Sequence, residues 1–424
     1  MLATLIICFI ILACLRMPIA IALGLAAAGA IIVSGDLPLT AIPHKMANGI
    51  DSYVFIAIPL FLFAGRLMNA GGITDRIFRL ARVLVGHITG GLAHANVMAG
   101  MFFSAISGSA VAAVGGLGEI EMKAMTDNGF DKDFAASITV ASSVIGPVIP
   151  PSIPLIIYAS MTDNSVGKLF LGGIIPGILL ALGLMLLSYY LSKRRNYPRD
   201  PQPKIRVVLK AFKETLLPLM MPVILLGGIY SGIFTPTEAA AVAGLYALLI
   251  SLFVYRSIKW KDLPELLVET MITTSVVTFV ISTTASFSLI LTIEEAGDRI
   301  ISMVSGLTDN RYMILLLINV LLLIFGAVME AGVVLILFIP ILYPLAVNVG
   351  IDPIHFGVIM AVNLMIGVAT PPMGMCLFVM SQISGIRLER LMRSILPFLI
   401  PLILVLLLIS FVPALVTWLP EFYY

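Results

Sequence analysis

Long apolar runs separated by short polar segments occupy the chain from one end to the other. The runs fall at about 1–15, 18–34, 53–69, 91–118, 134–161, 169–191, 216–234, 238–255, 264–293, 312–346, 354–383 and 395–419. Most approach or exceed the roughly 20 residues that an α-helix needs to cross a bilayer. Membrane β-barrel strands would instead alternate apolar and polar residues. The pattern therefore predicts an all-α polytopic membrane protein.

Composition supports this interpretation and excludes several classes of protein. Hydrophobic residues make up 60% of the chain and charged residues 11%, whereas soluble domains average about 25% charged residues. The net charge of +2 gives no indication of a nucleic acid partner. The three cysteines lack metal-binding spacing, and no glycine-rich phosphate loop indicates an ATP-driven pump. No paired aspartates or serine–histidine set indicates an intramembrane enzyme.

One basic, proline-rich segment divides the chain nearly in half. It reads KRRNYPRDPQPKIR, residues 193–206. Basic loops concentrate on the cytoplasmic side of a membrane, so this segment predicts a cytoplasmic linker over 193–215. The flanking parts, 1–192 and 216–424, are then two comparable units.

These units carry an internal repeat at an offset of 221 (371 − 150). Ile145, Gly146 and the pair Pro150-Pro151 recur as Ile366, Gly367 and the pair Pro371-Pro372. Residues that control backbone shape stay in register over some 60 positions, which indicates a structural repeat. The sequence thus predicts hairpins at about 91–126 and 312–346, and broken helices at about 134–161 and 354–383.

The basic loops also predict how the repeats are inserted. All of them face the cytoplasm if the hairpins 91–126 and 312–346 are re-entrant and do not cross. The two repeats then have opposite orientations, and both termini are periplasmic. Full crossings at 91–126 would place a basic cluster outside.

Prolines inside apolar runs break helices, and irregular backbone survives in a membrane only where it lines protein or a cavity. Paired interruptions in two repeats are a pointer to a transporter's central site. A half-helix that ends near Gly146 offers carbonyls to a cation, and one that starts at Pro150 or Pro151 offers amides to an anion. In the second repeat, Thr370 is expected to cap a helix that begins at Pro371. Ordinary proline kinks are the alternative.

The hairpin turns supply the opposite wall of this expected site. The first turn, residues 104–110, is small and polar, and its partner is residues 326–332. Serine hydroxyls there suit a cation or a substrate oxygen, although small residues also serve helix packing. Glu330 is a functional candidate as a carboxylate deep in an apolar run. It could balance sodium, carry a proton, pair with an arginine or simply be solvated. Asn363 precedes the second break by one turn and is a ligand or an interhelix hydrogen-bonding group.

Several strings resemble a known family. LVGHITGGLAHANVMAGMFFSAISGSAVA, ASSVIGPVIPPSIPLIIYAS, KLFLGGIIPG, FTPTEAAAVAG and NLMIGVATPPMGMCLFV resemble the large membrane subunit of tripartite ATP-independent periplasmic (TRAP) transporters. The resemblance covers essentially the whole chain. It implies an elevator-type secondary transporter of the bacterial inner membrane, driven by Na⁺. It also implies a small four-helix membrane subunit, a periplasmic substrate-binding protein and contact with membrane lipid.

The resemblance further implies two sodium sites, each between a hairpin tip and a break, with the substrate between them. The substrate is expected to be an organic acid of the sialic acid or C4-dicarboxylate class. Implied sodium-site residues are Ser107, Gly108, Gly146, Val148, Pro150, Gly326, Met329, Glu330, Gly367, Thr370 and Met373. Implied substrate-site residues are Ser107, Ser109, Pro151, Ser152, Asn363 and Pro372, with half-helix N-termini at Pro151 and Pro372. The alternative function is an ion or solute channel built from re-entrant loops.

Overall fold

The computed structural model describes residues 1–15, 17–296, 299 and 310–424, and of residues 74 and 104–107 it describes the backbone only. The predicted all-α membrane fold is confirmed, with helices throughout the described residues. In the first half these are α1 (Leu2–Cys14), α2 (Ile19–Ser34), α3 (Ala41–Ile50), α4 (Ala57–Ala70), α5 (Ile73–Val85), α6 (Gly91–Ser107), α7 (Ala110–Asp127), α8 (Lys132–Ser143), α9 (Ile153–Thr162) and α10 (Val166–Arg194). The second half contains α11 (Ile205–Tyr230), α12 (Pro236–Leu249), α13 (Leu263–Ile293), α14 (Arg311–Gly326), α15 (Ala331–Asn348), α16 (Pro353–Gly367), α17 (Met375–Ser384), α18 (Leu388–Phe411) and α19 (Ala414–Tyr423).

Seven stretches of helix within the described ranges are long and apolar enough to cross a membrane. They are Tyr53–Ala70, Val166–Arg194, Ile205–Tyr230, Pro236–Val254, Trp260–Ile293, Ala331–Asn348 and Leu388–Phe411. The apolar runs at the N-terminus instead form two shorter helices, α1 of 13 residues and α2 of 16 residues. The half-helices of the breaks are shorter than these seven, whereas Ala331–Asn348 is also the second helix of the second hairpin.

Each half contains a helical hairpin that packs against an interrupted helix. In the first half α6 and α7 pack on α8, and in the second half α14 and α15 pack on α16. Helix α7 begins at residue 110 and α15 at residue 331, which reproduces the repeat offset of 221 (331 − 110). Helices α8 and α16 begin at 132 and 353, at the same offset. The division at 192 and 216 and the opposite insertion of the two units stay predictions.

Both interruptions end later than the sequence predicts. The second half-helices begin at Ile153 and Met375, so the expected starts at Pro150, Pro151, Pro371 and Pro372 are wrong. The prolines of both Pro-Pro pairs lie inside the breaks.

Local proline chemistry explains the first difference. A proline disfavours helical geometry at the residue before it, so Pro151 keeps Pro150 out of a helix. Ser152 is the N-cap of α9, and Pro154 occupies its first turn, where a missing amide hydrogen costs nothing. Pro154, rather than the pair Pro150-Pro151, therefore marks the start of the helix.

The expected cap at Thr370 is also wrong. Its hydroxyl donates to the carbonyl of Ile366 at 2.7 Å, so this side chain completes the end of α16. Gly374 precedes α17 with φ +20° and no side-chain cap. The second break is thus closed by backbone geometry that glycine permits.

The linker after α10 folds back onto neighbouring elements. Tyr197 donates its hydroxyl to Asp131 at 2.6 Å, and Arg195 binds the same carboxylate at 2.9 Å. Burial and the hydrogen bond to Asp131 raise the pKa of Tyr197 above its ordinary value. Asp200 accepts from Arg82 of α5 at 2.7 Å. These contacts fix the linker against α5 and the start of α8.

Candidate functional site

A cavity of about 140 Å³ lies where the hairpin turns and the breaks meet. Both hairpins contribute the first turn of their second helix, residues 108–111 and 330–333. The breaks and their flanking helices contribute Pro147, Ile153, Pro154, Ile157, Met365 and Val368, and α13 closes one side with Thr273 and three valines. The duplicated elements of the sequence therefore converge on one mostly apolar space.

Two helix N-termini begin at this cavity, and each carries a side-chain cap. The hydroxyl of Ser109 accepts from the amide of Ala112 at 3.3 Å in α7. The carboxylate of Glu330 accepts from the amide of Val333 at 3.0 Å in α15. The two caps are equivalent under the repeat offset (330 − 109 = 221). Helix N-termini carry a partial positive charge and free amides, so this wall of the cavity suits an anionic oxygen.

Glu330 is the charged member of this pair. It is exposed at the cavity and forms none of the ion pairs found among the described residues. Of the roles that the sequence left open, pairing with an arginine is therefore not seen in the described part of the chain. The carboxylate caps its helix through Oε2.

The second hairpin tip touches the second break through bare backbone. A Cβ atom on Gly367 would lie 2.8 Å from the Cα and carbonyl carbon of Gly326. The amides of Met373 and Gly374 both donate to the carbonyl of Ala327, at 3.2 and 3.0 Å. Only glycine permits an approach this close. Tip and break are thus joined along their main chains.

Carbonyl oxygens converge inside this second break. A Cβ on Gly374 would lie 2.8 Å from the oxygen of Thr370 and 3.0 Å from that of Val368. Unwound carbonyls and helix C-terminal ends suit a small cation in membrane transporters. The expected sodium-site residues Gly326, Gly367, Thr370 and Met373 therefore come together.

The first break is organised differently. Ser152 is fully buried, and its hydroxyl donates to the carbonyl of Pro147 while it accepts from the amide of Leu155. The Val148 carbonyl lies against Gly173 of α10. Gly108 has φ +61° and packs against Ile153. The side chain of Ser107 lies outside the described residues.

Other expected residues are dispersed. Gly146, Pro150 and Pro151 are buried within the first break, whereas Pro372 and Met373 are exposed. Met329 lies in the turn of the second hairpin, where its amide donates to the carbonyl of Phe325 at 2.9 Å.

Asn363 lies in a buried polar contact between helices. It is fully buried, and its amide donates to the carbonyl and the side chain of Asn319, at 2.9 and 2.8 Å. Asn319 in turn donates to Ser410 at 2.9 Å. The structure thus joins α14, α16 and α18 here, and Asn363 does not line the cavity.

Sequence reasoning missed the contribution of α13. Thr273 lines the cavity, and a second space of about 650 Å³ continues along the same helix past Thr284 and Ser288. Helices α9 and α15 also line both spaces. The sequence feature that indicates this contribution is the high content of serine and threonine at 270–288 within an apolar run.

Comparison with known proteins identifies the family of this chain. Residues 6–415 match the model of the DctM component of the tripartite ATP-independent periplasmic transporters. The chain is 44% identical to the sialic acid TRAP transporter large permease protein SiaM of Vibrio cholerae, over 96% of this chain and 95% of that protein. It is 40% identical to the C4-dicarboxylate TRAP transporter large permease protein DctM of Pseudomonas aeruginosa, over 94% and 93%.

The fold also resembles a solved structure. The YdaH transporter of Alcanivorax borkumensis, which is described as having an unusual topology, matches with a TM-score of 0.62 over 88% of this chain and 87% of that chain. The sequence identity is 13%, so the likeness concerns the fold alone.

Proposed function

The chain belongs to the DctM family, the large permease components of TRAP transporters, and from this premise we propose that it imports an organic acid into bacteria by sodium-coupled secondary transport. The observation that carries the proposal is the pair of interrupted helices packed against two hairpin tips around one cavity. Interruptions of this kind offer backbone dipoles to both a cation and an anion.

Sodium binds, in this proposal, where each hairpin tip meets its break. The second site is supported by the converging carbonyls of Val368 and Thr370 and by the Gly326–Gly367 contact. The first site would use Gly108, Gly146, Val148 and Pro150 with the Ser107 turn. Sodium bound between a tip and a break would favour their packed arrangement, since a ligand stabilises the state that binds it.

The substrate occupies the cavity between the two capped N-termini. A carboxylate placed at the Ser109 end meets the amides at the start of α7. A second carboxylate would approach Glu330, and like charges repel. We therefore favour a polyhydroxylated monocarboxylate of the sialic acid class over a C4-dicarboxylate, because its hydroxyl groups can donate to Glu330.

Partners and movement complete the proposal. A small membrane subunit holds the complex in the inner membrane, and a periplasmic binding protein delivers the acid to the outward face, which includes residues 35–52 and 346–353. Both termini are periplasmic, and the hairpins move with the broken helices as an elevator. Crosslinks of the binding protein found only on 193–206 would contradict this orientation.

Reconstitution into proteoliposomes tests the function. The chain, its small subunit and its binding protein are assayed for uptake of radiolabelled sialic acid or succinate, with and without an inward sodium gradient. We expect sialic acid uptake that requires both the gradient and the binding protein. Uptake that persists unchanged without the gradient, or rapid flux without the binding protein, would favour a channel and overturn the proposal.

A further inference from the structure

A buried acid lies away from the cavity. Glu121 is in α7, the second helix of the first hairpin, and only 1% of its surface is exposed. It does not line the cavity between the hairpin tips. Glu119, two residues earlier in the same helix, is exposed. The chain therefore offers two acids on one helix in opposite environments.

Glu121 belongs to a polar network that joins three helices. The amide nitrogen of Asn96 in α6 donates to Oε2 of Glu121 at 2.7 Å and to the hydroxyl of Thr139 in α8 at 2.6 Å. Ser142 donates its hydroxyl to the amide oxygen of Asn96 at 2.7 Å. Asn96, Thr139 and Ser142 are all at most 2% exposed. The network is sealed from solvent.

Nothing in the described structure neutralises this carboxyl group. Oε1 of Glu121 has no hydrogen-bond partner among the described atoms, and the acid forms none of the ion pairs seen there. The helices packed on α7 are α5, α6, α8 and α17. Their titratable residues, none of which makes a hydrogen bond or ion pair with Glu121, are Asp75, Arg76, Arg79, Arg82, His94, Lys132, Asp133 and Cys376.

The energetic comparison decides the charge state. An ionised carboxylate without a cation, held in a low-dielectric interior, costs several kcal/mol. A neutral carboxyl group with one unsatisfied hydroxyl costs about 1–3 kcal/mol. The neutral form also matches the observed contacts, since a carbonyl oxygen at Oε2 accepts from Asn96 and the hydroxyl is left at Oε1.

We propose that Glu121 is a proton-binding site and that the folded transporter carries a proton on Oε1 of this residue. The reaction is a simple association, in which the carboxylate and one proton from water give the neutral acid. The network ends at the first break, because the Ser142 carbonyl accepts from the amide of Ile145 at 3.2 Å. The bound proton thus holds the first hairpin against the helix that leads into the break.

The sign of the pH effect follows from this binding. The packed hairpin holds a proton that a separated, solvated hairpin releases at neutral pH. A group that binds more protons in the native state makes the protein less stable as the pH rises. Alkaline medium should therefore weaken the packing of the first hairpin in the wild type, and Glu121→Gln, which stays neutral, should remove this dependence.

Infrared spectroscopy of the complete transporter in lipid tests the proposal. We expect a protonated-carboxyl carbonyl band that shifts in D₂O, is lost in Glu121→Gln and is kept in the matched control Glu119→Gln. The loss of thermal stability between neutral and alkaline pH should shrink in Glu121→Gln only. A band that is unchanged in Glu121→Gln, or carboxylate bands that respond to sodium instead, would overturn the proposal.

A second variant keeps the test decisive if Glu121→Gln does not fold. Asn96→Ala removes the donor to Oε2, so the carbonyl band should move to higher frequency. An unmoved band in folded Asn96→Ala would also overturn the assignment.

Discussion

The contact between Gly326 and Gly367 gives a prediction with a definite sign. In Gly367→Ala the added Cβ would lie 2.8 Å from two backbone atoms of Gly326, whereas carbon atoms pack at about 3.5–4.0 Å. The hairpin tip must therefore retreat by roughly 0.7–1.2 Å. Overpacking of this kind costs about 1–3 kcal/mol. Without the clash, alanine near a helix end would instead stabilise by about 0.5–1 kcal/mol.

The retreat should weaken sodium binding, because it pulls the Ala327 carbonyl away from the break to which it is bonded. A loss of about 1–3 kcal/mol corresponds to roughly a 5- to 150-fold change in an equilibrium constant. The assay is the sodium dependence of uptake in proteoliposomes, together with thermal unfolding in sodium and in potassium.

Gly115→Ala is the matched control, because a Cβ at this helical glycine of the other hairpin meets no atom within 4 Å. It should leave sodium dependence unchanged. If Gly367→Ala matches Gly115→Ala in both assays, the close contact does not form the sodium site and the reasoning is refuted.

Three further predictions concern single side chains. Glu330→Gln keeps an oxygen for its helix cap but loses the charge. In transport assays the half-saturating sodium concentration should rise, while binding of the periplasmic protein should be unchanged. Unaltered sodium dependence would show that Glu330 does not balance the sodium charge. Ser152→Ala should lower the free energy of unfolding by about 1 kcal/mol or more. The loss should exceed that of Ser165→Ala, because Ser165 makes a cap hydrogen bond of the same length, 3.3 Å, at an exposed position. Equal losses in thermal unfolding would contradict the role of burial. Arg390→Ala breaks an exposed ion pair with Asp133 and should cost less than about 1 kcal/mol; a larger loss of unfolding free energy would show that this pair fastens the two repeats.

How far the sequence predicts this site depends on whether side chains or backbone define it. The repeat offset pairs Ser109 with Glu330, and both residues are helix N-caps in the structure. The sequence misplaces the helix starts after the breaks, because two consecutive prolines are equally compatible with a helix start and with an irregular segment. Only the geometry at Ser152 and Gly374 separates these possibilities.

The sequence does not show the roles of polar residues in apolar runs. Asn363 and Asn96 look alike in sequence, and both are buried between helices. Their partners differ, since Asn363 faces a second amide and Asn96 faces an acid. Those partners lie 44 and 25 residues away, and no local pattern predicts which helices will pack together. The sequence therefore does not predict the network of Glu121.

The repeat is symmetric in backbone but not in charge, and this difference has a consequence for the substrate. The same cap position holds a neutral hydroxyl at Ser109 and a carboxylate at Glu330, and both line one cavity. An acid that enters this space meets a favourable N-terminus at one end and a competing anion at the other. A substrate with a single carboxylate should therefore bind in one orientation, with that group at the first hairpin. Because the carboxylate of Glu330 already occupies the corresponding position in the second repeat, that end of the cavity is left to groups that donate hydrogen bonds.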